Sequence, residues 1–130
     1  MIAFISLAVL SRPAFAVLTY SDFAVYAAGQ VRIGENSKIQ DTSDPDGVYT
    51  GKVGTHKPAS DAGYSLDLDA LVIAGDLYSA GDTRVGQLAR ITGDIVSDGN
   101  LNVQSLVNVS GSINTFGTGT FGDLASLSGN

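Results

Sequence analysis

The chain has no cysteine and no tryptophan, and among its 130 residues there are one histidine, one methionine and three prolines. Without cysteine, stability has to come from burial and backbone hydrogen bonds, and the absence suits an exported protein that avoids oxidative cross-linking. Glutamate is scarce beside aspartate, and with 16 glycines the composition argues against a helical bundle, which needs Ala, Leu, Glu and Lys in quantity. Basic charge is scarce too, with seven Lys and Arg against thirteen Asp and Glu. A phosphate backbone would be repelled, so no nucleic-acid partner is expected. No apolar run approaches the roughly 20 residues of a membrane span.

What is present begins with MIAFISLAVLSRPAFA, apolar from Ile2 to Leu10 and ending in the small-x-small pattern Ala14-Phe15-Ala16. This predicts a secretory signal peptide over residues 1–16, cleaved after Ala16, with a mature domain over 17–130 located in the periplasm, at the cell surface or outside the cell. Cleavage removes Arg12 and deepens the negative charge.

The mature region repeats. In steps of 18, Gly75, Gly93, Gly111 and Gly129 coincide, each two residues after Ile73, Ile91, Val109 and Leu127. Leu77, Ile95 and Ile113 align as well, as do Gly81, Gly99 and Gly117, then Val85, Val103 and Phe121, then Leu88, Leu106 and Leu124. Further back, VYAAGQVRIGENSKIQ (25–40) matches LYSAGDTRVGQLARIT (77–92) residue against residue, and YTGKVGT (49–55) resembles ITGDIVS (91–97). Surplus residues fall in DTSDPDG (41–47) and HKPASDAG (56–63), which places insertions near 41–48 and 56–63.

Within each unit the aliphatic residues alternate over four or five positions and are then interrupted by Gly, Asn or Asp. That is period 2 broken by corners, the pattern of short strands. Three such strands per unit predict an all-β fold, a single-stranded parallel β-helix (β-solenoid) with triangular coils of about 18 residues, about five of them. Right-handed winding is the general preference of parallel crossovers, hexapeptide helices being the exception. Aliphatic columns are expected to face in, and the corner glycines Gly75, Gly93, Gly111 and Gly129 to sit where positive φ or close backbone approach is needed. Tyr26 and Tyr78 share an outward position, predicting exposed rings, and Phe121 enters an inward column near the last coil.

ITGDIVSDGNLNVQSLVNVSGSI (91–113) resembles the bactofilins, polymer-forming β-solenoid proteins with an aliphatic-x-Gly-Asp-Ile pattern once per coil, and the likeness spans roughly residues 70 to 129. It implies a scaffold that needs no nucleotide and stacks coil to coil through its ends. Typical bactofilins are cytoplasmic or membrane-associated, whereas the leader predicted here directs the chain outward. IGENSKI (33–39) and VGQLARI (85–91) also resemble the hexapeptides of left-handed β-helix acyltransferases, which use a catalytic histidine between subunits; the single histidine here, His56, falls in an inserted loop.

Other chemistry has to be weighed against its plainer reading. Asp41, Asp44 and Asp46 before Gly47 resemble half of a calcium loop, but EF-hand spacing is not met, and a solvated turn is the preferred reading over a calcium site. Asp76 and Asp94 follow corner glycines and read as groups that hydrogen-bond corner N–H, not as the paired carboxylates of a polysaccharide hydrolase. Arg32 with Arg84, and Lys38 with Arg90, read as outward ladder residues. The expected function is non-enzymatic, without a cofactor: an exported, self-associating scaffold or filament. Its association end is Leu127, Gly129 and Asn130, which repeat a unit start without a cap, whether natural or because a longer protein is truncated there. The alternative is an adhesion module, part of a larger surface protein, binding a glycan, cell-surface polymer or protein through its flat faces or the insertion between Asp41 and Ala62, with Tyr49, Tyr64 and Tyr78 as candidates for an exposed aromatic row.

Overall fold

The computed structural model describes residues 23–41, 43, 49–58 and 62–129, and among them no helix occurs. In chain order the strands are β1 (Val25–Ala27), β2 (Val31–Ile33), β3 (Val53–Thr55), β4 (Leu66–Leu68), β5 (Ile73–Ala74), β6 (Leu77–Ser79), β7 (Thr83–Val85), β8 (Arg90–Ile91), β9 (Ile95–Ser97), β10 (Leu101–Val103), β11 (Asn108–Val109), β12 (Ile113–Thr115), β13 (Gly119–Phe121) and β14 (Ser126–Leu127). They assemble into three parallel sheets, β1-β3-β6-β9-β12, β2-β4-β7-β10-β13 and β5-β8-β11-β14, here called the first, second and third faces. The chain visits the faces in turn, so each strand pairs with the strand one winding away. This is a parallel β-solenoid.

Register makes columns. On the first face Val25, Val53, Leu77, Ile95 and Ile113 stack, and on the second Ile33, Leu68, Val85, Val103 and Phe121 do. Alternation sends every second side chain inward, and in the middle windings the inward aliphatics are fully buried, Leu68, Val85, Ile91, Ile95 and Val103 among them. Each such side chain contributes about 1.5–3 kcal/mol relative to exposure. The likeness of 25–40 to 77–92 has a direct meaning, since Val25 lies in the Leu77 column and Lys38 in the Arg90 column, one winding intervening.

Two column assignments need correction. Ile73 does not stack on Ile91: it pairs with Arg90 while Ala74 pairs with Ile91, because the corner from Ala74 to Leu77 is one residue shorter than the corner from Ile91 to Ile95. Leu88, Leu106 and Leu124 do not face the interior. With Leu71 and Asn36 they occupy the corner between the second and third faces at φ between 59° and 62°, and the leucines are exposed. In this left-handed conformation the N–H points along the stack: Leu71 donates to the Gln87 carbonyl, Leu88 to Ser105 and Leu106 to Asp123, so the hydrogen-bond ladder continues round the bend. A side chain at such a position costs about 1–2 kcal/mol that glycine or asparagine largely avoids.

The corner glycines serve close approach and not positive φ. A Cβ on Gly75 would overlap the Thr50 carbonyl, on Gly93 the Asp76 carboxylate, on Gly111 the Asp94 carboxylate and on Gly129 the Gly111 carbonyl. Inside, a hydroxyl column runs where only aliphatics were expected. Thr55, Ser79, Ser97 and Thr115 stack at the end of the first face, and their hydroxyls donate to the carbonyls of Gly29, Gly81, Gly81 and Gly99 respectively. Two of those carbonyls also accept a backbone N–H from the next winding, Gly81 from Gly99 and Gly99 from Gly117, so the small hydroxyls add a second hydrogen bond within the narrow interior.

Candidate functional site

The columns that close the interior of the middle windings are left uncovered at β12–β14. Phe121 stacks on Val103 and Leu127 on Val109, yet Phe121 and Leu127 are 51% and 46% exposed where Val103 and Val109 are 1% and 2% exposed. Phe116 and Leu124 add further exposed apolar surface, and Ile113 is only partly covered. Each of β12, β13 and β14 is the last strand of its sheet among the described residues, so one side of each carries N–H and C=O groups without a strand partner there. The edge is therefore apolar in the centre and hydrogen-bonding at the rim. Of the residues expected at the association end, Leu127 and Gly129 lie on this edge and Asn130 lies outside the described residues.

The remaining candidates are dispersed. Asp41 accepts from both the N–H (2.9 Å) and the hydroxyl (2.7 Å) of Ser43, a local turn that holds its carboxyl below the usual range. Asp44 and Asp46 lie outside the described residues, and among those described no group of three or more His, Cys, Asp or Glu is placed to hold a metal. Asp76 and Asp94 are set one above the other: the Asp94 N–H donates to Asp76 Oδ1 at 2.8 Å and the Ser112 N–H to Asp94 Oδ1 at 2.7 Å. Asp82 and Asn100 repeat the device one corner away, accepting from the N–H of Asn100 and Thr118, both at 2.8 Å. His56 is exposed in the loop after β3.

The outer second face carries an ion ladder. Arg32, Asp67 and Arg84 stack in register, Arg84 binding Asp67 at 2.5 Å and Asp69 at 3.0 Å, while Arg32 reaches Asp69 at 3.5 Å. The Asp67 hydrogen bond, ahead of the opposing effect of burial, raises the already high Arg84 pKa. Both arginines thus sit beside acidic neighbours, as their shared unit position suggested.

The tyrosines form no single row. Tyr78 lies on the first face, Tyr64 packs on Arg84 with the guanidinium carbon 5.9 Å from its ring centre, and Tyr49 lies under Lys38 on the third side. Tyr26 and Tyr78 do point outward, but their rings are half-buried beneath Phe23, at centroid distances of 5.1 and 5.6 Å. Gly54, between them in the column, makes room, since any Cβ there would strike the Phe23 ring. Burial first, then the carboxylates of Asp76 and Asp94, raise the Tyr78 pKa.

The geometry defines a repeat protein, a parallel β-solenoid whose β12–β14 edge is apolar among the described residues. Comparison with protein-family models, curated proteins and solved structures finds no significant match.

Proposed function

We propose that this chain is a non-catalytic, bactofilin-like scaffold of the exported kind, whose β12–β14 edge is covered by a second copy of itself. The observation that carries the reading is the pair of columns in which Val103 and Val109 are sealed while Phe121 and Leu127, in the same columns, are open. A further solenoid layer supplies both things the edge needs, an apolar surface over Phe121 and Leu127 and strand partners for the rim. A second copy carries both in the same column order, without any helix or cofactor. End-on stacking repeated at both ends of each copy builds a filament.

The test is sedimentation and negative-stain electron microscopy of the purified chain over a micromolar range, beside Phe121→Lys/Leu127→Lys. The expected result is concentration-dependent assembly of the parent and a monomeric variant with unchanged β circular dichroism. A parent that stays strictly monomeric overturns the proposal, as does a variant that assembles equally well.

A further inference from the structure

At the corner between the first and second faces the outer surface holds an open groove of about 370 Å³, lined by Tyr64, Asp82, Asn100, Asn102, Thr118 and Thr120 with backbone of Gly63 and Leu101. Two columns make its floor. Asp82, Asn100 and Thr118 follow one another along the stack, each side chain or backbone tied to the next by the N–H to Oδ1 bonds of the corner, and Asn102 and Thr120 stack beside them. Tyr64 stands at one end. Its ring is held against Arg84, which is fixed by Asp67 and Asp69, and the turn before it at Gly63 (φ 82°) is tied down by the Lys57 ammonium, 3.1 Å from the Gly63 carbonyl. The wall is therefore organised before any ligand arrives.

The lining selects among ligand classes. Its one ionised group is Asp82, and one oxygen of that carboxylate already accepts the Asn100 N–H, so the floor lacks the several carboxylates a hard cation requires. Two cations lie nearby but neither lines the groove: Arg84 is engaged by Asp67 and Asp69, and the Lys57 ammonium is turned to the carbonyls of Ala62 and Gly63, so the lining itself offers no positive charge to a phosphate or sulfate. An apolar ligand would strand the carboxamides and hydroxyls. Among the described residues the Asn102 amide and the Thr118 and Thr120 hydroxyls have no intramolecular partner. Amides and hydroxyls that both donate and accept suit the vicinal hydroxyls of a sugar, and an aromatic wall at the end of the groove suits the apolar face of a pyranose ring. The columns repeat at the interstrand spacing of about 4.8 Å, close to the length of one pyranose unit in an extended chain.

We propose that this corner groove is a binding site for a neutral, extended oligosaccharide, laid along the stack with one sugar unit per winding and a terminal ring against Tyr64. Asn102, Thr118 and Thr120 supply the hydrogen bonds and Tyr64 the ring contact. The groove shares β13 with the association edge proposed above but opens on the outer surface, and the two are scored by different measurements.

The experiment is isothermal titration, with amide chemical-shift mapping, of the intact chain against β-1,4-linked di-, tetra- and hexasaccharides of glucose and of N-acetylglucosamine. An unmodified extended peptide is the competing probe. Affinity is expected to rise with length from the disaccharide to the tetrasaccharide, with shifts confined to residues 63–64, 82, 100–102 and 118–120. Asn102→Ala/Thr120→Val, which removes only outward groups, should weaken binding about tenfold or more while the melting temperature and the β circular dichroism stay those of the parent. Absence of binding by every saccharide overturns the proposal; so does binding that the double variant leaves unchanged, or shifts at the groove produced by the peptide and not by the sugars.

Discussion

The middle windings and the last one are built from the same columns and behave as different materials. Around β6–β11, an inward side chain has a neighbour above and below, and a corner Asp or Asn finds the N–H of the next winding. At β12–β14 the same residue types have, among the described residues, a strand neighbour on one side alone, and Ile113, Phe121 and Leu127 are part-exposed or exposed. In a stacked repeat, then, burial belongs to position in the stack and not to residue type, and each interior side chain depends on the next winding to cover it.

The largest test of that contrast uses one column. Ile95→Ala should cost about 2–5 kcal/mol, as for a fully buried aliphatic, whereas Ile113→Ala should cost about 1 kcal/mol or less in dilute solution. Urea midpoints measure both. If a second copy covers the edge, raising the protein concentration until assembly is complete should bring the Ile113→Ala penalty up toward that of Ile95→Ala. Equal penalties in the monomer would break the comparison.

A second test uses the direction of stacking. Glycine Cβ positions in this fold lean toward the preceding winding, so Gly86, whose Cβ would overlap the backbone of Leu68 and Asp69, has no room for one. Gly34, at the equivalent place before it, meets nothing within 4 Å. Gly86→Ala should cost about 1–3 kcal/mol and Gly34→Ala less than about 0.5 kcal/mol, read from thermal unfolding.

A smaller effect separates corners from core. Asn36 begins the left-handed column that continues as Leu71, Leu88, Leu106 and Leu124. Leu106→Asn should leave stability unchanged or raise it by up to about 1 kcal/mol, because asparagine tolerates the conformation better and no buried contact is lost. Val107→Asn, one residue later and buried, should unfold the same region.

These pairs also show how far the sequence could be read. Parallel stacking and the inward columns of the first and second faces follow from an 18-residue period with alternation inside it, because stacked strands force each column into one size class. Three things did not follow. The shortened corner before Leu77 shifts Ile73 out of its column without disturbing the glycine spacing, so periodicity hides it. The leucine corners were masked by the ordinary link between positive φ and glycine, although Asn36 aligned with Leu88 was a signal that the column is left-handed. The hydroxyl column shows as Ser or Thr two residues before glycine in YSAG, VSDG and NTFG, a pattern that looks like loop polarity until the narrow interior reveals which carbonyls it satisfies. The groove was less legible still, because it joins Tyr64, after an insertion, to columns 18 residues apart.

The subtlest contrast lies on the outside of the first face, where Phe23 roofs Tyr26, Gly54 and Tyr78, while further along the column Val96 is half-buried and Asn114 exposed. Burial under that ring, aided by Asp76 and Asp94, disfavours the Tyr78 phenolate, so its folded pKa lies above the ordinary tyrosine value. A raised folded value means that the contribution to stability is complete below about pH 10 and is lost as pH rises through the folded pKa. Phenolate absorbance should show one tyrosine ionising late, and the late step should disappear in Tyr78→Phe. Phe23→Ala should bring the step down further than Asp94→Asn does, since desolvation outweighs charge here. The reverse order would assign the shift to the carboxylates and leave the aromatic roof without an electrostatic role.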